Sequence, residues 1–144
     1  MAEIFFVGAG PGDPDLITVK GLRLIEDADV LLYAGSLVNP LLVEKSHARI
    51  KLNSYGMKLD DQIGLLVQHA ESGKKVVRLH SGDPSLYGAI SEQIIELEKR
   101  GVGVISANLI FFNQEGMHLA IAEFFFSFLR QARFLWNSIG GHIF

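Results

Sequence analysis

The sequence predicts an α/β domain: a mostly parallel sheet with flanking helices. Short, continuous apolar runs alternate with segments of helical periodicity over the first hundred residues, and the strand cores are apolar throughout, as in strands covered on both faces. The length of 144 residues, 49% of them apolar, fits one cored domain and not two.

Residues 4–7 are an apolar run ended by Gly8-Ala9-Gly10-Pro11-Gly12, a buried strand opening into a glycine loop. Asp15 is placed to cap a helix on which Leu16, Val19, Leu22 and Ile25 recur at helical spacing, before Glu26, Asp27 and Asp29 restore polar character. Residues 30–33 form a second apolar run, followed by Ala34-Gly35-Ser36, and this completes a βαβ opening. The stretch through Pro40 and Ile50 to Asn53 carries no clear pattern. Beyond it, Leu59, Ile63, Leu66, Val67 and Ala70 share one helical face, with Asp60 and Asp61 in the first turn, where carboxylates complement the helix dipole; this helix ends near Gly73. Residues 75–79 make the next strand and residues 80–85 a Gly-Asp-Pro loop. Leu86, Ile90, Ile94 and Leu97 form the stripe of a third helix, stopped at Gly101, and residues 102–105 begin a further strand. In such a sheet ligands sit beyond the carboxyl ends of the strands, where both glycine loops fall.

The regular pattern fails after Val104. Eight of the ten Phe lie between Phe111 and Phe144, and a helix over residues 119–135 would be apolar all round. The chain therefore divides into an α/β domain over residues 1–104 and an aberrant Phe-rich tail over 105–144. Thirteen Lys and Arg against sixteen Asp and Glu, net charge −3, leave no basic excess for a phosphate backbone, so small molecules are expected as ligands and nucleic acid is not. The absence of cysteine removes disulfides, thiolate nucleophiles and cysteine-ligated metal sites. The opening MAEIFFVGAG lacks a secretory n-region, and the longest apolar candidate, residues 119–136, is broken by Glu123, Arg130, Gln131 and Arg133. A cytoplasmic protein without a membrane anchor is expected.

Two loops carry the chemistry. The first, Gly8 to Asp15, superficially follows a dinucleotide fingerprint. The third glycine of G-x-G-x-x-G falls on Asp13, however, whose carboxylate opposes a pyrophosphate, and Pro11 and Pro14 remove two amide donors. A plain structural turn is the other reading of this loop. The second loop, Ser81-Gly82-Asp83-Pro84, follows a strand directly. Gly82 allows close approach of the backbone, Asp83 can accept ribose hydroxyls and Leu86 can face an adenine or a methionine chain, which together suit an adenosine ligand. Asp83 and Pro84 also serve as helix-start residues, and the two roles are compatible.

Together, Val7 to Gly12, Leu16-Ile17-Thr18-Val19-Lys20 and residues 76–88 resemble the tetrapyrrole (corrin and porphyrin) methyltransferase family over residues 1–104. Within it, residues 33–38, Tyr55-Gly56-Met57 and residues 80–93 are most similar to members that methylate precorrin-4 at C11 in cobalamin biosynthesis, with or without cobalt. The resemblance implies S-adenosylmethionine as methyl donor, a corrin precursor as substrate, a two-domain enzyme that forms a homodimer, and cofactor contacts at Pro11, Ser81, Gly82, Asp83 and Leu86. It names no catalytic residue. Members continue with a strand ending in Pro-Gly and a second domain; here Ser106-Ala107-Asn108 stands at that strand end, so a shifted reading frame or truncated gene is expected, with a genuine variant C-terminus as the other reading, and methyl transfer by the chain is expected to be absent or weak.

Methyl transfer from a sulfonium relies on in-line placement more than on an acid–base pair. His47, His69, His80, His118 and His142 show no metal-ligand spacing and read as surface or packed histidines. Lys20, Arg23, Lys45, Arg49 and Lys51 are candidates for the carboxylates of a tetrapyrrole, against a solvated surface role; Tyr33 and Ser36 stand near a strand end. Two readings stay beside the methyltransferase: a nucleotide-binding α/β domain and a non-catalytic remnant.

Overall fold

The computed structural model describes residues 2–35, 37–84 and 90–106. Five strands, β1 (Glu3–Gly8), β2 (Val30–Tyr33), β3 (Ile50–Asn53), β4 (Val76–His80) and β5 (Gly103–Ser106), alternate with helices α1 (Val19–Glu26), α2 (Pro40–Lys45), α3 (Leu59–Glu71) and α4 (Ser91–Lys99). All strand pairs are parallel, in the order β3-β2-β4-β1-β5. The expected α/β architecture is present.

The side-chain period of two divides each central strand between two cores. Val7, Leu31, Val77 and Leu79 pack with Leu24, Ile25 and Leu42 of α1 and α2. Ile4, Phe6, Val30, Leu32 and Val76 are equally buried and alternate with those residues, so they face the opposite side. Arg78 shares that side and bonds to Gln62 of α3 and Gln93 of α4. This two-sided burial is why the strands read as unbroken apolar runs.

Three expectations are corrected. Asp15 does not cap α1: the Asp13 carboxylate accepts from the Asp15 N–H (3.0 Å) and caps a short 3-10 turn, Pro14–Leu16. The cap of α1 is Thr18, whose hydroxyl accepts from the Gly21 N–H at 3.0 Å. The apolar stripe shifts accordingly. Leu16 and Val19 are 60% and 66% exposed, and Gly21, Leu24 and Ile25 are the buried positions. Gly21 sets that phase by lying flat on the sheet, where an added Cβ would stand 3.0 Å from Val7 Cγ1. Lastly, Ile105 and Ser106 continue β5 beside Phe5 and Phe6, so strand pairing runs past Val104.

Two elements, α2 and β3, occupy the stretch left unassigned. Asn39 caps α2 through the Leu41 N–H (3.0 Å) with Pro40 as the first helical residue. Ser36, Leu86 and the tail from residue 107, with eight of the ten phenylalanines, lie outside the described residues. Among the described residues no helix is long and apolar enough to cross a membrane.

Helices α1 and α2 pack together on one face, α3 and α4 on the other. The loop after β1 leads to α1 and the loop after β4 leads to α4, yet β1 and β4 are neighbours. The helices that follow them lie on opposite faces, which makes the carboxyl edge between these two strands a topological switch point, where open sheets of this kind have their ligand crevice.

Candidate functional site at the carboxyl edge of the sheet

At that switch point the two glycine loops are fastened together. The Ala9 N–H donates to the His80 carbonyl (2.7 Å), the Gly10 N–H to the Gly82 carbonyl (3.3 Å) and the Gly82 N–H to the Gly10 carbonyl (3.1 Å). This one-residue antiparallel bridge turns both chains at once, and Gly10 (φ +74°) and Gly82 (φ +62°) both take the left-handed conformation it needs. A Cβ on Gly10 would press on the Leu16 carbonyl oxygen at 3.0 Å, whereas a Cβ on Gly82 would meet no described atom within 4 Å. Among the described residues, nothing stands over Gly82.

The neighbouring loops join the same rim. The Asn39 side-chain amide donates to the Gly12 carbonyl (2.9 Å), which ties the start of α2 to the first glycine loop. The Ala34 N–H donates to the Leu79 carbonyl (3.1 Å), and the Ser54 N–H and hydroxyl both donate to the Tyr33 carbonyl (2.9 and 3.1 Å). Gly35 lies under Asn53 so closely that any Cβ would collide with the Asn53 side chain. Beside the 3-10 turn, Pro14, Asp15, Leu41, Glu44 and Lys45 line an open concavity of about 500 Å³.

Of the residues expected to contact a cofactor, the structure brings Ser81, Gly82 and Asp83 to this crevice through the Gly10–Gly82 bridge, with Pro11 exposed next to Gly10. Tyr33 instead packs half-buried against the α1/α2 core. Lys20, Arg23, Lys45, Arg49 and Lys51 are exposed, and Arg49 precedes β3, at the opposite edge of the sheet. The first loop does not open onto a helix N-terminus: the Asp13-capped turn and residues 17–18 intervene before α1, so amides and dipole are not aimed at Gly10 as a dinucleotide site requires.

Beneath the crevice, on the α3/α4 face, two basic residues follow each other along β4. Arg78 is 3% exposed. Its Nε donates to Gln93 Oε1 (3.3 Å), Nη1 to the Leu32 carbonyl (3.4 Å) and Nη2 to Gln62 Oε1 (3.2 Å). No carboxylate among the described residues pairs with it, and burial lowers its pKa to about 10. His80 stands one pleat nearer the crevice, with Nε2 buried and unpartnered; burial first and the charge of Arg78 second lower its pKa to about 4, so it is neutral at pH 7. The sequence reading missed this polar floor, because an arginine within Val76-Val77-Arg78-Leu79 carries no signal of burial. It also missed Asn39, although Asn-Pro is a recognisable helix start.

Comparison with known proteins agrees with this geometry. The family model for Tetrapyrrole (Corrin/Porphyrin) Methylases matches residues 3–107. A cobalt-precorrin-4 C(11)-methyltransferase from Methanocaldococcus jannaschii is 58% identical over 104 residues, 71% of this chain and 40% of that protein. A precorrin-4 C(11)-methyltransferase from Pseudomonas aeruginosa is 54% identical over 99 residues, again 40% of its length. The chain thus spans about two fifths of the curated relatives it matches. The X-ray structure of a cobalt precorrin-4 methyltransferase superposes with a TM-score of 0.70 at 48% identity, covering 73% of this chain and 44% of that one. A uroporphyrin-III C-methyltransferase from Thermus thermophilus, solved with S-adenosylhomocysteine, gives a TM-score of 0.63 at 34% identity, covering 73% of this chain and 43% of that one. Fold and sequence together show that this chain belongs to the tetrapyrrole (corrin/porphyrin) methylases.

Proposed function

We propose that this chain supplies the S-adenosylmethionine-binding domain, over residues 1–104, of an enzyme that methylates precorrin-4 or cobalt-precorrin-4 at C11 in cobalamin biosynthesis. The observation that carries the reading is the Gly10–Gly82 clasp at the switch point, with no described atom within 4 Å of a Cβ added at Gly82, in a chain 58% and 54% identical to two relatives named for that reaction. A cytoplasmic setting and a homodimer belong to the same proposal and rest on the family resemblance.

The residues present suit the cofactor. Gly82 lets a ligand approach the backbone, Ser81 and Asp83 flank it with a hydroxyl and a carboxylate of the kind that ribose hydroxyls bond to, and Pro11, exposed beside Gly10, has no N–H to satisfy; these assignments and Leu86 follow the resemblance. S-Adenosylmethionine supplies an electrophilic methyl group on a sulfonium. The chain's own task is to bind and orient, because fixing two reactants in line supplies much of the acceleration such a transfer needs. His80, held neutral, puts no cation beside Ser81 to repel a sulfonium.

Isothermal titration of the chain with S-adenosylhomocysteine and with NAD tests the reading. Binding of the former, weakened at least ~10-fold by Asp83→Ala as expected for loss of a charge-assisted hydrogen bond, supports it. Preference for NAD, or indifference to Asp83→Ala, overturns it. Turnover with precorrin-4 and cobalt-precorrin-4 then distinguishes the two substrates.

A further inference from the structure

The turn after β3, residues 54–57, is tied by hydrogen bonds at Ser54, Tyr55 and Met57. Ser54 is buried and doubly bonded to the Tyr33 carbonyl, the Tyr55 N–H donates to Asn53 Oδ1 (2.8 Å), Gly56 has φ +76°, and the Met57 N–H closes the turn on the Ser54 carbonyl (3.1 Å). Its last carbonyl is held from inside: Gln62 Nε2 donates to Met57 O at 3.0 Å, while Gln62 Oε1 accepts from Arg78 Nη2. All this order supports a side chain that makes no use of it in the fold, since Tyr55 is 78% exposed. A rigid backbone presenting a free aromatic ring is what a pre-organised contact for a flat ligand requires. The turn lies at the carboxyl edge, on the strand two places from β4, hence about 10 Å from the Ser81–Asp83 loop at the usual strand spacing.

The hub behind the turn is difficult to explain as stabilisation alone. A buried guanidinium without a carboxylate is a poor net contributor to stability, since an apolar set replacing it and its glutamine partners together would serve as well. What Arg78 does is join β2, α3 and α4 at one point and fix the rotamer of Gln62. We propose that Arg78 is a positioning residue which, through Gln62, latches the 54–57 turn so that Tyr55 stacks against the tetrapyrrole substrate. The tetrapyrrole part rests on the function proposed above.

Gln62→Glu separates latching from general support. It keeps an oxygen for Arg78, now charged, but has no N–H for the Met57 carbonyl. The expected result is a Tm equal to or above that of the parent, with exchange of the Met57 amide accelerated about 5-fold, the factor one ordinary hydrogen bond represents. Titration with uroporphyrin III, a stable tetrapyrrole, is expected to weaken at least ~5-fold in both Gln62→Glu and Tyr55→Ala, while S-adenosylhomocysteine binds as before. Unchanged Met57 exchange, or faster exchange only alongside a general loss of stability, overturns the latch. Uroporphyrin binding that is absent, or indifferent to both variants, overturns the role of Tyr55. Failure of S-adenosylhomocysteine to bind the parent chain refutes the proposed function instead, and the exchange experiment still decides the latch.

Discussion

Alanine placed at Gly10 and at Gly82 should produce unequal losses, although both residues are left-handed members of one bridge. At Gly82 the new methyl group meets no described atom within 4 Å, so only the backbone conformation is penalised, by about 1 kcal/mol. At Gly10 the same penalty applies and the methyl group also stands 3.0 Å from the Leu16 carbonyl oxygen and 3.4 Å from its carbon. That backbone cannot swing aside, because the Leu16 N–H is bonded to the Asp13 carbonyl at 3.1 Å. Overpacking of this kind adds roughly 1–3 kcal/mol. Gly10→Ala should therefore lose about 2–4 kcal/mol and Gly82→Ala about 1 kcal/mol, with Gly82→Asn smaller still because asparagine tolerates this conformation. Affinity should behave differently. The methyl group of Gly82→Ala projects over the clasp, where the proposed function seats the adenosyl group, so S-adenosylhomocysteine binding should fall by more than the stability loss explains. Urea denaturation and ligand titration of the three variants provide the numbers. Equal destabilisation at the two positions, or a Gly82→Ala variant that binds the ligand like the parent, refutes the reasoning.

Other consequences follow from the caps and the buried floor. Thr18→Ala should destabilise by about 1 kcal/mol through loss of the α1 cap, with Asp15→Ala within about 0.5 kcal/mol of the parent in the same denaturation series. Arg78→Met should lose about 2–4 kcal/mol because it strands the Gln62 and Gln93 oxygens and the Leu32 carbonyl in the interior, and adding Gln62→Leu should recover part of that loss, as a double-mutant cycle will show. His80 titrates near 4 in the fold and near 6.5 unfolded, so between those values the unfolded chain binds a proton that the folded chain refuses. Stability is then complete above about pH 6.5 and declines as pH falls toward 4. Discounted for partial exposure, the decline is on the order of 1 kcal/mol, and a melting series against pH should lose that component in His80→Gln.

The sequence made some of this structure legible and hid the rest for physical reasons. Residues 30–33 coincide with β2, and residues 59–71 form the expected helix, because strands covered on both faces and a 13-residue amphipathic helix have patterns long enough to recognise. By contrast α2 has six residues and β3 four, the latter an edge strand of alternating half-buried and exposed positions, and neither spans enough residues to show a period. The α1 stripe was misplaced because Leu16 and Val19 imitate it while the true contact is Gly21, a residue with no side chain to count. At the site, the Gly10 and Gly82 loops were recognisable one by one as glycine turns beyond strands. Their bridge was not, since it joins positions 72 residues apart (82 − 10) through backbone groups that every residue possesses. The Arg78–Gln62–Met57 relay is hidden for a similar reason, because each link depends on which element packs over which.

The proposed function puts the adenosyl cofactor at the clasp of the two glycine loops. Amide chemical shifts of isotopically labelled chain, followed while S-adenosylhomocysteine is added, test it most directly. The account predicts saturable shifts centred on Gly10, Gly12, Gly82 and Asp83, abolished by Asp83→Ala and not reproduced by NAD. Shifts centred elsewhere, or an equal response to NAD, contradict it.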